Sequence, residues 1–154
     1  GKLGKRVDSV TLSDRVTLPH RTDKIVRLDA EFKLLAGDSI ISVTATIGRD
    51  TYTIVTAELQ GTSRFPVFLF DKLDVPKKYQ GFGIARYAMR LALEELDSRS
   101  VKSQLHPVSL GGITNKQLLA FYEGLGFKMV KPKRVRGQVL KSAMMRDINT
   151  SFKI

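Results

Sequence analysis

The stretch from Gln80 to Arg86, Gln-Gly-Phe-Gly-Ile-Ala-Arg, carries the residue types and spacing in this sequence that can do chemistry. Gly81 and Gly83 let the backbone approach a ligand closely and adopt conformations that a Cβ forbids. A segment of helical period begins at Ile84, so the glycines open a helix. The first amides of that helix have no internal partner and point outward at the positive end of its dipole. Such a loop seats a pyrophosphate, and Lys77, Lys78 and Arg86 can add charge nearby. A glycine pair alone also fits a tight strand-to-helix turn that needs glycine for geometry only. Other nucleotide loops fit worse. No Lys-Ser or Lys-Thr follows the glycines, and no acidic residue stands at the ribose position of a βαβ unit.

The elements that must position this loop follow from periodicity. Val26, Leu28, Ala30, Phe32 and Leu34 alternate with Arg27, Asp29, Glu31 and Lys33, which predicts a half-buried strand. Gly37-Asp38 turns the chain into a second alternating strand, Ile41 to Ile47. Gly48-Arg49-Asp50 turns it again into a third, β-branched run from Thr51 to Leu59. Phe65 to Phe70 is apolar on both faces, as a central strand covered on both sides should be. Short turns between these runs imply an antiparallel meander, and the first two dozen residues read as a short strand and loop. Ile84 to Asp97 has helical period, with Arg86, Arg90, Glu94 and Asp97 opposite Ile84, Ala88, Leu91 and Leu96. A strand is expected over His106 to Leu110. Thr114 and Gln117 have capping-box spacing and open a second helix, which runs through Tyr122 and stops at Gly124 or Gly126. Phe127 to Val130 and Val139 to Ile148 read as a closing pair of strands.

The 154 residues suffice for one domain with a substantial core. There are no cysteines, which excludes disulfides, thiolate metal sites and a cysteine nucleophile, and suits a reducing cytosol. The sequence has no apolar run of membrane-spanning length and no signal-peptide apolar region, so a cytoplasmic location and no membrane partner are expected. A net charge of +11 favours anionic partners without choosing among them.

The stretch from Leu73 to Arg86 resembles the acetyl-CoA pyrophosphate loop of the GNAT superfamily of N-acetyltransferases. The family pattern Gln/Arg-x-x-Gly-x-Gly/Ala is met by Gln80, Gly83 and Ala85, preceded by the strand end Leu73-Asp74-Val75. Asn115 to Phe127 is similar to the family's second signature: an Asn that opens a helix, an aromatic-Tyr pair in Phe121-Tyr122, then Gly126-Phe127 leading into a strand. The resemblance spans roughly Phe65 to Ile148. It implies an α/β (α+β) fold, a GNAT-like mixed, mostly antiparallel central sheet with helices after strands 4 and 5, as a single domain over residues 1–154. It also implies acetyl-CoA as cosubstrate, no metal, and transfer of acetyl to a primary amine. Coenzyme contacts would come from Leu73 and Val75 on the strand, then from Gln80, Gly81, Phe82 and Gly83. Ile84, Ala85 and Arg86 on the first helix and Asn115 and Tyr122 on the second would complete them. In the family, the strand ending at Val75 splays from the strand around Val108, and the pantetheine arm pairs with Leu73 to Val75 between them. Tyr122 matches the usual general acid, and a phenol suits that role because it is neutral at pH 7 and can donate to a developing anion. A packed helix tyrosine and a capping Asn115 are the plainer readings of those two residues.

A lysine amine has a pKa of about 10.4, so presenting it neutral near pH 7.4 costs about 4 kcal/mol, whereas an α-amine near pKa 8 costs under about 1 kcal/mol. A base is therefore more urgent for lysine acceptors. Asp71 is the catalytic candidate, with Asp74 and Glu58 nearby, and each also reads as an exposed strand-end carboxylate. Two departures from the family stand out. Its helices between the first strands are replaced here by tight turns, so the acceptor cleft is open or completed by a partner. Leu118 also sits where many members have a small residue. Between Phe127 and Ile148, the residues Lys128, Lys131, Lys133, Arg134, Arg136, Lys141 and Arg146 face a single acid, Asp147. That cluster suits tRNA or another nucleic acid, or an acidic protein; a solvated basic hairpin explains it equally well. The acceptor could thus be an amine of a protein, a small molecule or an aminoacyl-tRNA. The competing function is an inactive GNAT-like module that binds nucleic acid or a protein assembly.

Overall fold

The structure, a computed structural model, describes residues 10–19, 27–107, 115–130, 134–135, 138–139 and 143–153. The alternating first half folds as an antiparallel meander: β1 (Val10–Pro19), β2 (Arg27–Ala36), β3 (Ile40–Ile47), β4 (Asp50–Gly61) and β5 (Pro66–Leu73). Then come α1 (Ile84–Ser98), β6 (Lys102–Leu105), α2 (Asn115–Gly124) and β7 (Lys128–Val130). The short strands β8 (Arg134–Val135) and β9 (Gln138–Val139) pair with each other, and β10 (Ala143–Arg146) returns to the main sheet. That sheet has the order β1-β2-β3-β4-β5-β6-β10-β7. Its parallel pair is β5 with β6, for which α1 is the crossover.

The sequence reading needs correction at three places. The N-terminal strand is no short piece: β1 pairs with β2 along all ten of its residues, so the helices follow the fifth and sixth strands rather than the fourth and fifth. The strand after α1 lies at Lys102–Leu105 and not at His106–Leu110; His106 follows it, and Val108 to Leu110 lie outside the described residues. Its alternation was hidden because one inward position is a serine, Ser103, which is buried and stands opposite Arg146 of β10. Phe65, read as the start of a covered strand, sits before β5 and is 75% exposed.

One sheet face is the core. Phe32 and Leu34 of β2, Val43 and Ala45 of β3, and Phe68 and Phe70 of β5 are buried there. α1 lies over β2, β3 and β4, burying Ile84, Ala88, Met89, Ala92, Leu93 and Leu96, whereas Leu91 is only half-buried. The opposite face carries Lys33, Ser42, Thr44, Thr46, Thr51, Thr53 and Thr56, all partly or fully exposed. Threonines lie opposite one another across β3 and β4 at Thr44–Thr53 and Thr46–Thr51, and the hydroxyls of the second pair are hydrogen-bonded at 2.7 Å. β-Branched residues with hydroxyls satisfy both the pleat and water. This face needs no helical cover, in keeping with the tight turns that join β2 to β3 and β3 to β4.

α1 ends in a Schellman turn. Val101 N donates to Leu96 O at 3.1 Å and Ser100 N to Asp97 O at 3.0 Å, which places Ser100 in the left-handed region at φ 57°. A glycine there carries no Cβ penalty. Ser100→Gly relieves a left-handed penalty of roughly 1–2 kcal/mol and adds glycine's entropic cost of roughly 0.5–1 kcal/mol. A net gain of about 0.5–1 kcal/mol is therefore expected, read as a higher urea midpoint at unchanged slope; a lower midpoint would contradict the assignment.

Candidate active site

β5 outruns its parallel neighbour. The β5–β6 register begins at Val67–Lys102 and ends at Phe70–Leu105, so Asp71 to Leu73 continue with β4 on one side and no described strand on the other. The divergence coincides with a bulge. Ala57 faces Phe70 and Thr56 faces Lys72, which leaves Asp71 as the extra residue. A bulge sharpens local twist and turns the strand away from a neighbour.

Beyond β5 the chain makes a 3₁₀ turn at Lys77–Tyr79 and reaches the glycine loop. Gln80 folds back, its Nε2 donating to Val75 O at 3.1 Å, so that carbonyl is already engaged. Asp74 N likewise donates to Ile54 O at 2.9 Å. Gly81 and Gly83 have φ of 90° and 91°, and an added Cβ at either would meet no atom within 4 Å. The glycines are thus required by backbone conformation, and open space lies in front of them. Gly83 is the N-cap of α1, with no side-chain cap and no acidic residue in the first turn. Ile84 is buried, Phe82 and Ala85 are half-buried against the core, and the Arg86 guanidinium lies 5.6 Å from the centre of the Phe121 ring. That last contact joins the start of α1 to the end of α2.

Tyr122 is 6% exposed, and burial pushes its phenol up to about 12. Its position is set by the end of α2, which is also a Schellman turn. Phe127 N donates to Tyr122 O at 3.1 Å and Gly126 N to Glu123 O at 3.0 Å, with Gly126 at φ 97°. The rings of Tyr122 and Phe127 meet edge to face at 6.0 Å, and Phe127 meets Phe70 at 6.3 Å. Phe70 is the last β5 residue paired with β6, so two ring contacts lead from Tyr122 to the point where the strands part.

No protein-family model matches the sequence, and no curated protein matches it. Solved structures do. The ribosomal-protein-S18-alanine N-acetyltransferase from Escherichia coli matches at 20% identity and a TM-score of 0.53, over 75% of this chain and 74% of that one. Arabidopsis thaliana NAA60 in complex with a bisubstrate analogue matches at 19% and 0.53, over 74% and 78%. The NatC complex bound to Gag peptide and CoA matches at 15% and 0.51, over 70% and 71%. This chain has the GNAT fold.

The glycine loop follows the end of β5 that has no partner beyond Phe70 among the described residues on the β6 side, and Tyr122 is tied to Phe70 through the Phe127 ring. Leu73 is half-buried and Val75 buried at the strand end. Asn115 opens α2, but its side chain and Thr114 lie outside the described residues. Leu118 is fully buried in the core. Asp71 does not join Tyr122: it is exposed and accepts a hydrogen bond from Thr56 Oγ1, on the sheet face away from the helices. Asp74 and Glu58 are exposed as well.

The basic cluster also divides. Lys131, Lys133, Arg136 and Lys141 lie outside the described residues, and Lys128 is exposed. Arg146, read as part of a solvated basic hairpin or nucleic-acid surface, is instead 2% exposed. Its Nε donates to Leu125 O at 2.8 Å, Nη1 to Asp97 Oδ1 at 2.8 Å, and Nη2 to Asp97 Oδ2 at 3.1 Å and to Thr150 O at 2.5 Å. No local pattern marks it: Ala143, Met144 and Met145 before it are all apolar, and its partner Asp97 lies 49 residues away in the chain.

Two predictions follow from this geometry. A Cβ on Gly126 would sit 2.7 Å from Thr150 Cγ2 and 3.1 Å from Arg146 Nε. Gly126→Ala should therefore cost roughly 2–4 kcal/mol in urea unfolding, and a loss below about 0.5 kcal/mol would refute the packing. The second concerns pH. The folded state holds the Tyr122 proton to about 12 against an ordinary 10.0, so this group's stabilisation is full below pH 10 and lost as pH rises toward 12. Tyr87, whose hydroxyl donates to Asp14, is raised to about 12 by burial and then by Asp14, and it contributes equally to a Tyr122→Phe variant. Between pH 10 and 12 the wild-type Tm should fall more steeply than that of Tyr122→Phe; parallel curves would contradict the buried phenol.

Proposed function

We propose that this chain is an acetyl-CoA-dependent N-acetyltransferase that moves an acetyl group to a primary amine of a protein, small molecule or aminoacyl-tRNA by direct attack. One observation carries the reading: β5 runs past its last β6 partner at Phe70 into the glycine loop that opens α1, and a buried phenol is linked to Phe70 through the Phe127 ring. Each alone has a structural explanation. Their combination in a GNAT fold supports one site.

The residues present fit the coenzyme. Positive-φ glycines with open space before them, and a first turn free of acids, suit a pyrophosphate. Gly81 to Ala85 would hold it, with charge from Arg86, and the β5 edge at Leu73 would hold the pantetheine arm as an added strand. CoA bound to the NatC complex, and the bisubstrate analogue bound to NAA60, support the same assignment. When bound, the coenzyme supplies an acetyl thioester.

Tyr122 would be the residue that carries a proton at Oη toward the departing thiol; burial keeps the phenol protonated through the neutral range, and the same burial makes it a weaker donor than a free tyrosine. Asp71 is the candidate to receive the acceptor's proton. It lies on the far sheet face, across the gap that opens at Phe70, so an amine would arrive from the uncovered threonine face while the coenzyme lies on the helix side. The α-amine named for the Escherichia coli enzyme supports an acceptor of low pKa, for which a weakly held base suffices.

Calorimetric titration with acetyl-CoA is expected to show binding that Gly83→Glu abolishes, since the variant places an anion at the phosphate seat. Tyr122→Phe is expected to keep the same affinity within about twofold while kcat falls about 10²-fold or more. No binding at millimolar coenzyme would overturn the enzyme reading and leave a GNAT-fold module used for its basic surface.

A further inference from the structure

We infer that Arg146 is a positioning residue for the transfer reaction: through the Leu125 carbonyl it fixes the turn that orients the Tyr122 hydroxyl. The inference rests on the reading of Tyr122 as general acid.

The geometry is a short chain of direct contacts. Arg146 Nε donates to Leu125 O at 2.8 Å, and Leu125 N donates to Tyr122 O at 3.0 Å. The next two residues complete the turn. Gly126 lies so close to the guanidinium that a Cβ there would be 3.1 Å from Nε, and Phe127 both donates to Tyr122 O and packs against the Tyr122 ring. The final turn of α2 therefore rests on a planar cation. Asp97 holds that cation in place from α1 with both carboxylate oxygens, and Asp97 Oδ1 also accepts from Asn149 N at 2.9 Å. The Phe152 ring covers the guanidinium at 4.9 Å and reaches Arg90 at 4.7 Å, while Lys153 N donates to Gly124 O at 2.7 Å. α1 begins at the glycine loop and ends at this carboxylate, so one helix sets the phosphate seat and, through Arg146, the phenol.

A fold that needed only stability at this point would accept apolar side chains in place of a buried ion pair. A guanidinium supplies direction instead: its five donors lie in one plane, and a lysine cannot reproduce the fork. A small rotation of the α2 terminus would move the Tyr122 hydroxyl, whereas the coenzyme loop at the far end of α1 would remain as it is. The two effects are separable by kinetics.

The test compares Arg146→Lys and Asp97→Asn with wild type, both checked for folding by circular dichroism; the second loosens the guanidinium without touching α2. In unliganded protein labelled with ¹³Cζ-tyrosine, with the Tyr122 signal assigned from Tyr122→Phe, each variant should move the phenol midpoint from about 12 toward 10. Acetyl-CoA affinity should stay within about twofold while kcat falls about tenfold. In a Tyr122→Phe background Arg146→Lys should change kcat less than about twofold, because the group it orients is gone. An unmoved phenol midpoint in a folded variant, or an equal loss of kcat in both backgrounds, would overturn the inference alone. Unchanged kcat in Tyr122→Phe itself would instead overturn the general-acid reading and the inference with it.

Discussion

A guanidinium taken out of water loses several kcal/mol of hydration, and it recovers that only when its donors find well-aligned acceptors. Arg146 meets this condition with four acceptor oxygens from three chain segments: two from Asp97 and one each from Leu125 and Thr150. Removing one partner would leave a buried charge uncompensated, at a cost of roughly 3–5 kcal/mol. The pair therefore acts less as a source of net stability than as a condition on geometry: α1, α2, β10 and the segment after it must meet in one arrangement or the charge is stranded. The Schellman turn at Gly126 is part of the same arrangement, since the glycine lets the chain pass over the cation.

The sheet meets a different constraint. Its threonine face is solvated by design of sequence, with hydroxyl-bearing β-branched residues paired across β3 and β4. A GNAT fold with helices between its first strands would require apolar residues there. The short turns and the polar face are thus two expressions of one choice.

Much of this was legible in the sequence. Period-two alternation located β2, β3 and β4, and the glycine loop and the Phe121-Tyr122 pair stood at a helix start and a helix end as expected. What escaped had physical causes. β1 carries charge in its middle at Asp14 and Arg15, as an edge strand does, so its apolar pattern is diluted. β6 hides because Ser103 occupies a core position. Arg146 hides for a deeper reason: a cation's burial depends on where its partners end up, and Asp97 is 49 residues away in the chain. Among candidate site residues, those held by local backbone chemistry were readable. Asp71 illustrates the opposite case, because only the bulge in β5 decides which way it points.

The docking of residues 149 to 153 also bears on the order in which this chain acquires its parts. Synthesis runs from the N-terminus, at about 5–20 residues per second. The β1–β5 meander, built from neighbours in sequence, can pair as soon as it leaves the ribosome. The end of α2 cannot be finished then, for Asn149 must reach Asp97, Thr150 must reach Arg146, and Lys153 must reach Gly124. A nascent chain that has emerged only through β10 therefore lacks all three of these contacts, and the end of α2 is closed only when the last residues arrive.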